Sequence, residues 1–196
     1  MTDITSDTAS GRRTAAQSVM KSNGSGEGPI EAPHKDLVAC VELFYFAYRD
    51  FTCDPDSILE QYGFGRAHHR VLHFVHRNPG LKVAELLDIL KITKQSLARV
   101  LKQLIDEGFI IQRAGDEDRR QRRLYVSAKG ARLTDKLTQI QVKRLESALT
   151  TAGPGAGALT RQFLFAMIAE KDRPHVEALI AQSQNSHLAG DKGLTK

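Results

Sequence analysis

Between Val83 and Ser127 the spacing of apolar residues changes from a helical to a strand period, and that order leaves few folds open. Val83, Leu86, Leu87 and Leu90 mark a short helix, Lys91-Ile92 breaks it, and a second helix begins at Thr93. The hydroxyl of Thr93 can accept an amide hydrogen at the open helix end, which makes it a good N-cap. Leu97, Val100, Leu101, Leu104 and Ile105 follow at spacings of 3, 1, 3 and 1, and Gly108 supplies the stop. Phe109 to Ala114 is rich in β-formers, Gly115-Asp116-Glu117-Asp118 reads as a turn, and Arg123 to Ser127 returns as a second strand. Helix, helix, basic hairpin is the sequence signature of a winged helix-turn-helix.

The flanks are helical. Leu37, Val41, Phe44, Tyr45 and Tyr48 predict an amphipathic helix over 35–52, ending before Asp54-Pro55, with a short helix from Pro55 or Asp56 to about Tyr62. Arg66 to Arg77 predicts another, stopped by Asn78-Pro79-Gly80. After the hairpin, Ser127 can cap a long helix over 128–151, which Gly153-Pro154-Gly155 breaks; a further helix is expected from about Ala158 to Lys171, then a last piece capped by Asp172 with Pro174 in its first turn. Residues 1–33, with SNGSGEGP, and 185–196 lack periodicity and read as tails. The fold class is mainly α with a small β-hairpin wing: a winged helix-turn-helix at about 65–130, with a helical dimerisation part at about 35–52 and 128–184, the whole domain spanning 34–184.

Charge points to an anionic partner. The chain carries +5, yet residues 91–132 alone hold 11 Lys/Arg against 5 acids, and the remainder has 17 against 18. All of the basic excess therefore sits in the stretch just described. With Leu97 at the centre of the buried stripe and 100° per residue, the opposite face is Gln95, Arg99, Lys102 and Asp106, flanked by Ser96 and Gln103. Gln95 can bond bidentately to adenine and Arg99 to guanine, while Lys94, Ser96 and Lys102 suit phosphates, and Thr93 at the helix start joins them as a DNA-binding candidate. Any amphipathic helix has such a polar exterior; the capped helix pair and basic hairpin around it favour double-stranded DNA. Arg119, Arg120, Arg122 and Arg123 fall within five positions, and a narrow minor groove favours inserted arginine. Asp118 beside them can pair with one and shape the loop.

The stretch KVAELLDILKITKQSLARVLKQLIDEGFIIQRAGDEDRRQRRLYVSAKG resembles the winged-helix domain of MarR-family regulators. The wing carries the most specific part: Asp118-x-Arg120, a hydrophobic residue at Leu124, and Ser127-x-x-Gly130. Members usually have Thr at the place of Ser127, and many have a Thr cap where Lys82 stands. The resemblance implies a homodimer whose first and last helices intertwine, with two winged lobes reading half-sites of a palindrome. It implies Arg120 in the minor groove, oriented by Asp118, and repression relieved by a small effector, by thiol oxidation or by metal.

Three features bear on sensing. Phe44, Tyr45 and Tyr48 either line an aromatic ligand pocket or belong to a core. Cys40 and Cys53, 13 residues apart, would lie about 20 Å apart on one straight helix, so they cannot pair within it; each is either a redox switch through an intersubunit bridge or a buried structural cysteine. His69, His73 and His76 share a helix face at zinc spacing, but no Cys, Asp or Glu joins them, and no metal or other cofactor is called for. No P-loop, GxSxG, HExxH, paired CxxC or dinucleotide fingerprint occurs, so no enzyme is expected. The polar start lacks a signal-peptide core, and Leu43 to Tyr48 falls far short of the ~20 residues needed to cross a bilayer; a cytoplasmic protein with no membrane partner is expected. The rival reading is a helical adaptor that holds an acidic protein on the basic patch.

Overall fold

The computed structural model describes residues 33–115 and 121–191, with side chains to Ser183. Residues 116–120, with Asp118, Arg119 and Arg120, for which the sequence predicts a turn, lie outside the described residues, as do 1–32 and 192–196. The elements run α1 (His34–Glu60), α2 (Arg66–Arg77), β1 (Leu81–Lys82), α3 (Val83–Leu90), α4 (Lys94–Asp106), β2 (Ile110–Ala114), β3 (Arg122–Val126), α5 (Ala128–Ala152), α6 (Ala156–Ala166), a 3₁₀ turn (Glu170–Asp172) and α7 (Arg173–Asp191). The chain divides after Val41; the described residues before that point are the start of α1.

Helix α1 does not stop before Pro55 as the sequence predicts. Proline removes the amide that would bond the carbonyl four residues back, and here that carbonyl, on Phe51, accepts from Gln141 Nε2 on α5 at 3.5 Å. Arg144 Nη2 also reaches Asp54 Oδ2 at 2.7 Å. Support from α5 thus carries the helix through to Glu60. Near the C-terminus the correction runs the other way. Helix α6 ends at Ala166, because Arg173 Nη2 and Nε donate to the carbonyls of Ala166 and Ile168 at 2.7 and 3.0 Å and satisfy the helix end early. Helix α7 then continues to Asp191, into the stretch read as tail.

The hairpin gains a third strand. The sheet order is β1-β3-β2, all antiparallel, with Leu81 opposite Leu124 and Ile110 opposite Val126. Gly80, at φ +86°, turns the chain from α2 into β1. Every large hydrophobic side chain buried among the described residues lies between Leu59 and Leu137. One core, built on Val71, Leu72 and Val75 of α2, therefore belongs to the winged lobe and to the first turns of α5. Helix α5 joins that lobe by close approach: Ser127 Oγ accepts from Gly130 N–H at 3.0 Å and donates to the Gly108 carbonyl at 2.7 Å.

Candidate nucleic-acid interface

Helix α4 presents its polar face as its spacing predicts. Leu97, Val100, Leu101 and Leu104 are buried, while Lys94, Gln95, Arg99 and Lys102 are exposed. Its open end is capped: Thr93 Oγ1 accepts from Ser96 N–H at 3.1 Å and donates to Ser96 Oγ at 2.9 Å. The Thr93 proton is thus spent inside the cap, and Ser96 keeps its own hydroxyl hydrogen for an outside acceptor. Lys102 lies 2.5 Å from Asp106 one turn on, so its charge is partly met within the helix. Lys94, Gln95 and Arg99 have no side-chain partner among the described residues. The free donors gather in the first two turns, where aligned peptide dipoles also attract anions.

The turn before α4 is tight. Lys91 adopts φ +50° at the end of α3, a left-handed conformation that reverses the chain within three residues. Lys82 cannot cap α3 as a threonine would, and Glu85 Oε2 accepts its N–H at 2.8 Å instead. At the far end of α4, Gly108 (φ +73°) lets Phe109 N–H reach the Leu104 carbonyl at 2.8 Å and Gly108 N–H that of Ile105 at 3.0 Å. That paired closure satisfies the last carbonyls and turns the chain directly into the wing.

A polar relay pins α4 from behind, and no local spacing announces it. Gly65 N–H donates to His68 Nδ1 at 3.1 Å, which leaves His68 Nε2 as the donor to Gln103 Oε1 at 2.9 Å. Gln103 Nε2 in turn donates to Glu107 Oε1 at 3.0 Å. His68 also stacks on Phe64 with ring centroids 4.8 Å apart. Gln103, which the helical wheel placed beside the reading face, is therefore part of the scaffold. On the wing, Arg122 is exposed and pairs in register with Ala114.

Residues 62–121 match the model of the MarR family. The HTH-type transcriptional regulator PetP of Rhodobacter capsulatus is 48% identical over 154 residues, covering 79% of this chain and 93% of PetP. The chain belongs to the MarR family. Among solved structures, MarR itself superposes with a TM-score of 0.55 at 23% identity, covering 76% of this chain and 98% of that one. FabT of Streptococcus pneumoniae in complex with DNA superposes at 0.61 and 14% identity, covering 67% and 94%. These likenesses show the fold. As a MarR-family transcriptional regulator the chain is a DNA-binding protein and not an enzyme.

The sensor candidates of this MarR-family chain fall in different places. Phe44, Tyr45 and Tyr48 stand 45%, 70% and 50% exposed on α1, and the two described clefts, one beside α7 and one between Asp54 and α5, have other linings. Cys40 and Cys53 are free, exposed thiols on the same helix. His76 Nε2 meets Asp135 Oδ1 at 3.0 Å, and burial pushes His73 down to about 4 and lowers His69. No helix among the described residues is long and apolar enough to cross a membrane.

Proposed function

We propose that the chain is a homodimeric, effector-responsive repressor that reads a palindromic operator with α4 and the wing, in the cytoplasm. The observation that carries this reading is the capped first half of α4: Lys94, Gln95 and Arg99 stand exposed and unpartnered on a helix fixed from behind by Leu97, Leu101 and the His68–Gln103 relay. Gln95 and Arg99 read base edges, and Lys94, Ser96 and Lys102 hold phosphates. Arg122 and, in the turn, Arg119 and Arg120 enter the minor groove, with Asp118 orienting Arg120. The DNA complex of FabT supports this use of the shared fold, and the regulator PetP supports the role. Apolar residues left exposed on α5 and α6, among them Val142, Leu145, Leu159 and Phe163, support the dimer. In such a dimer Cys40 and Cys53 are the positions for an intersubunit redox bridge.

The test is a binding selection from genomic fragments with purified protein near physiological salt. A palindromic site bound by two chains is the expected result. Arg99→Ala should then lower the ratio of specific to non-specific affinity roughly tenfold, about the discrimination one good bidentate pair supplies. An unchanged ratio removes Arg99 from base reading. Binding that is weak and indifferent to sequence favours the acidic-partner adaptor instead.

A further inference from the structure

Gln95, Arg99, Gln103 and Glu107 follow one another at steps of four and so form a single row along α4 and its C-cap. Residues four apart on a helix are neighbours, with Cβ atoms about 5–6 Å apart. Arg99 is exposed and has no partner among the described residues. A guanidinium with its fork of donors and a side-chain carbonyl one turn on make a ready pair. An arginine so engaged is lost to a base edge. Gln103 nevertheless meets His68 and Glu107 rather than Arg99.

The contacts of Gln103 fix which way its amide points. Nε2 donates to Glu107 Oε1 at 3.0 Å and lies 3.5 Å from the Gly63 carbonyl oxygen. An ionised carboxylate and a carbonyl only accept, so Oε1 is the atom turned toward His68 Nε2, 2.9 Å away. His68 Nε2 therefore carries the ring proton, and bare Nδ1 accepts from Gly65 N–H at 3.1 Å. Gly65 has no side chain with which to cap α2, and His68, three residues on, reaches back to its amide as a capping glutamine would. The ring plane is held as well. It lies 7° from that of Phe64 with centroids 4.8 Å apart, and buried Phe64 packs edge-on against Phe109.

We propose that His68 is a positioning residue for base reading: by holding the Gln103 carbonyl it keeps Arg99 free for guanine. The inference rests on the reading of Arg99 given above and names the group that protects it. Without the Nε2 hydrogen of His68, Gln103 Oε1 loses its donor, and Arg99 stands one turn back in the same row. Arg99 is then shared between Gln103 and the base edge, while Lys94 and Lys102 go on holding phosphates. Specific binding falls and non-specific binding does not.

The experiment compares full-length variants by their affinity for the fragment recovered in the selection above and for a shuffled duplex of equal length. His68→Asn keeps an acceptor for the Gly65 amide, His68→Phe keeps the stack on Phe64, and neither has the Nε2 donor. Both should lower the specific-to-non-specific ratio roughly threefold, between the roughly twofold scale of one such helix pair and the roughly tenfold loss of Arg99 itself. Affinity for the shuffled duplex should not change. Gln103→Met removes the competing carbonyl, so alone it should leave the ratio as in the wild type, and added to either His68 variant it should restore it. An unchanged ratio in either His68 variant overturns the proposal. Double variants that stay as low as the single ones also overturn it, because lost packing at His68 is not repaired by a second substitution. Arg99→Ala separates the two readings. If it lowers the ratio and the His68 variants do not, only the proposal fails; if it leaves the ratio unchanged, Arg99 reads no base and both fail.

Discussion

A Cβ added at Gly130 would lie 2.2 Å from the Phe109 carbonyl oxygen, closer than such atoms approach in real structures. That oxygen also accepts from Ser127 N–H at 2.9 Å, so it cannot move without breaking the seam between the wing and α5. Gly130→Ala is therefore expected to cost roughly 2–4 kcal/mol of unfolding free energy, within the range of the severe single substitutions. Urea unfolding followed by circular dichroism measures it, and a loss below that of an ordinary surface change would show that the seam can give. His73 sets a pH dependence by a different route. Burial is the largest cause of its depression to about 4, with His69, Arg77 and His76 adding repulsion. An unfolded histidine titrates near 6.5. Between those values the unfolded chain binds the extra proton, so stability is present above about 6.5 and falls as the pH drops toward 4. The depressed value corresponds to at most about 3 kcal/mol over that window. His73→Leu should flatten the slope of stability against pH between 7 and 5; an identical slope would assign the effect to other groups.

At the scale of the element, the capped helix α4 is readable because caps and stripes are local. Thr93, the apolar spacing and Gly108 each announce themselves within a few residues, and each does in the structure what its chemistry suggests. Thr93→Ala should remove the Ser96 amide acceptor and cost about 1 kcal/mol, with DNA affinity falling further if the first turn frays. Measuring both on one variant separates the cap from the contact: equal stability would mean water caps the helix as well. What stayed hidden depends on partners far along the chain. Pro55 reads as a helix stop until Gln141 supplies a donor for the Phe51 carbonyl. Strand β1 is two residues long, too short for a period, and exists because β3 pairs with it. The early end of α6 comes from Arg173, beyond the helix itself. The wheel places Gln103 only at the flank of the polar face, because it cannot see His68. For the site itself, Gln95, Arg99 and Lys102 stand exposed where the wheel put them.

At the scale of the whole molecule the decisive fact is where burial stops. The core ends at Leu137 on α5, and beyond it Val142 and Leu145 are exposed, followed by Leu159, Phe163, Leu164 and Met167 around α6. Phe163 is 57% exposed and Leu159 68%, so neither contributes much to the single chain's core. Exposed apolar surface on this scale marks an interaction site more often than it marks a free surface. In the homodimer proposed above a second copy covers this surface, and two lobes then reach two half-sites through one assembly. Phe163→Glu places a charge in that contact while leaving the lobe core untouched. The expected outcome is a monomer by sedimentation, helical content retained, and affinity for a full palindrome reduced by roughly a hundredfold or more, because the second half-site is no longer held at high effective concentration. Affinity for a single half-site should change little, which separates lost pairing from lost reading. A variant that stays dimeric would place the contact elsewhere on these helices. One that turns monomeric yet binds the palindrome as tightly as before would mean that each lobe acts alone.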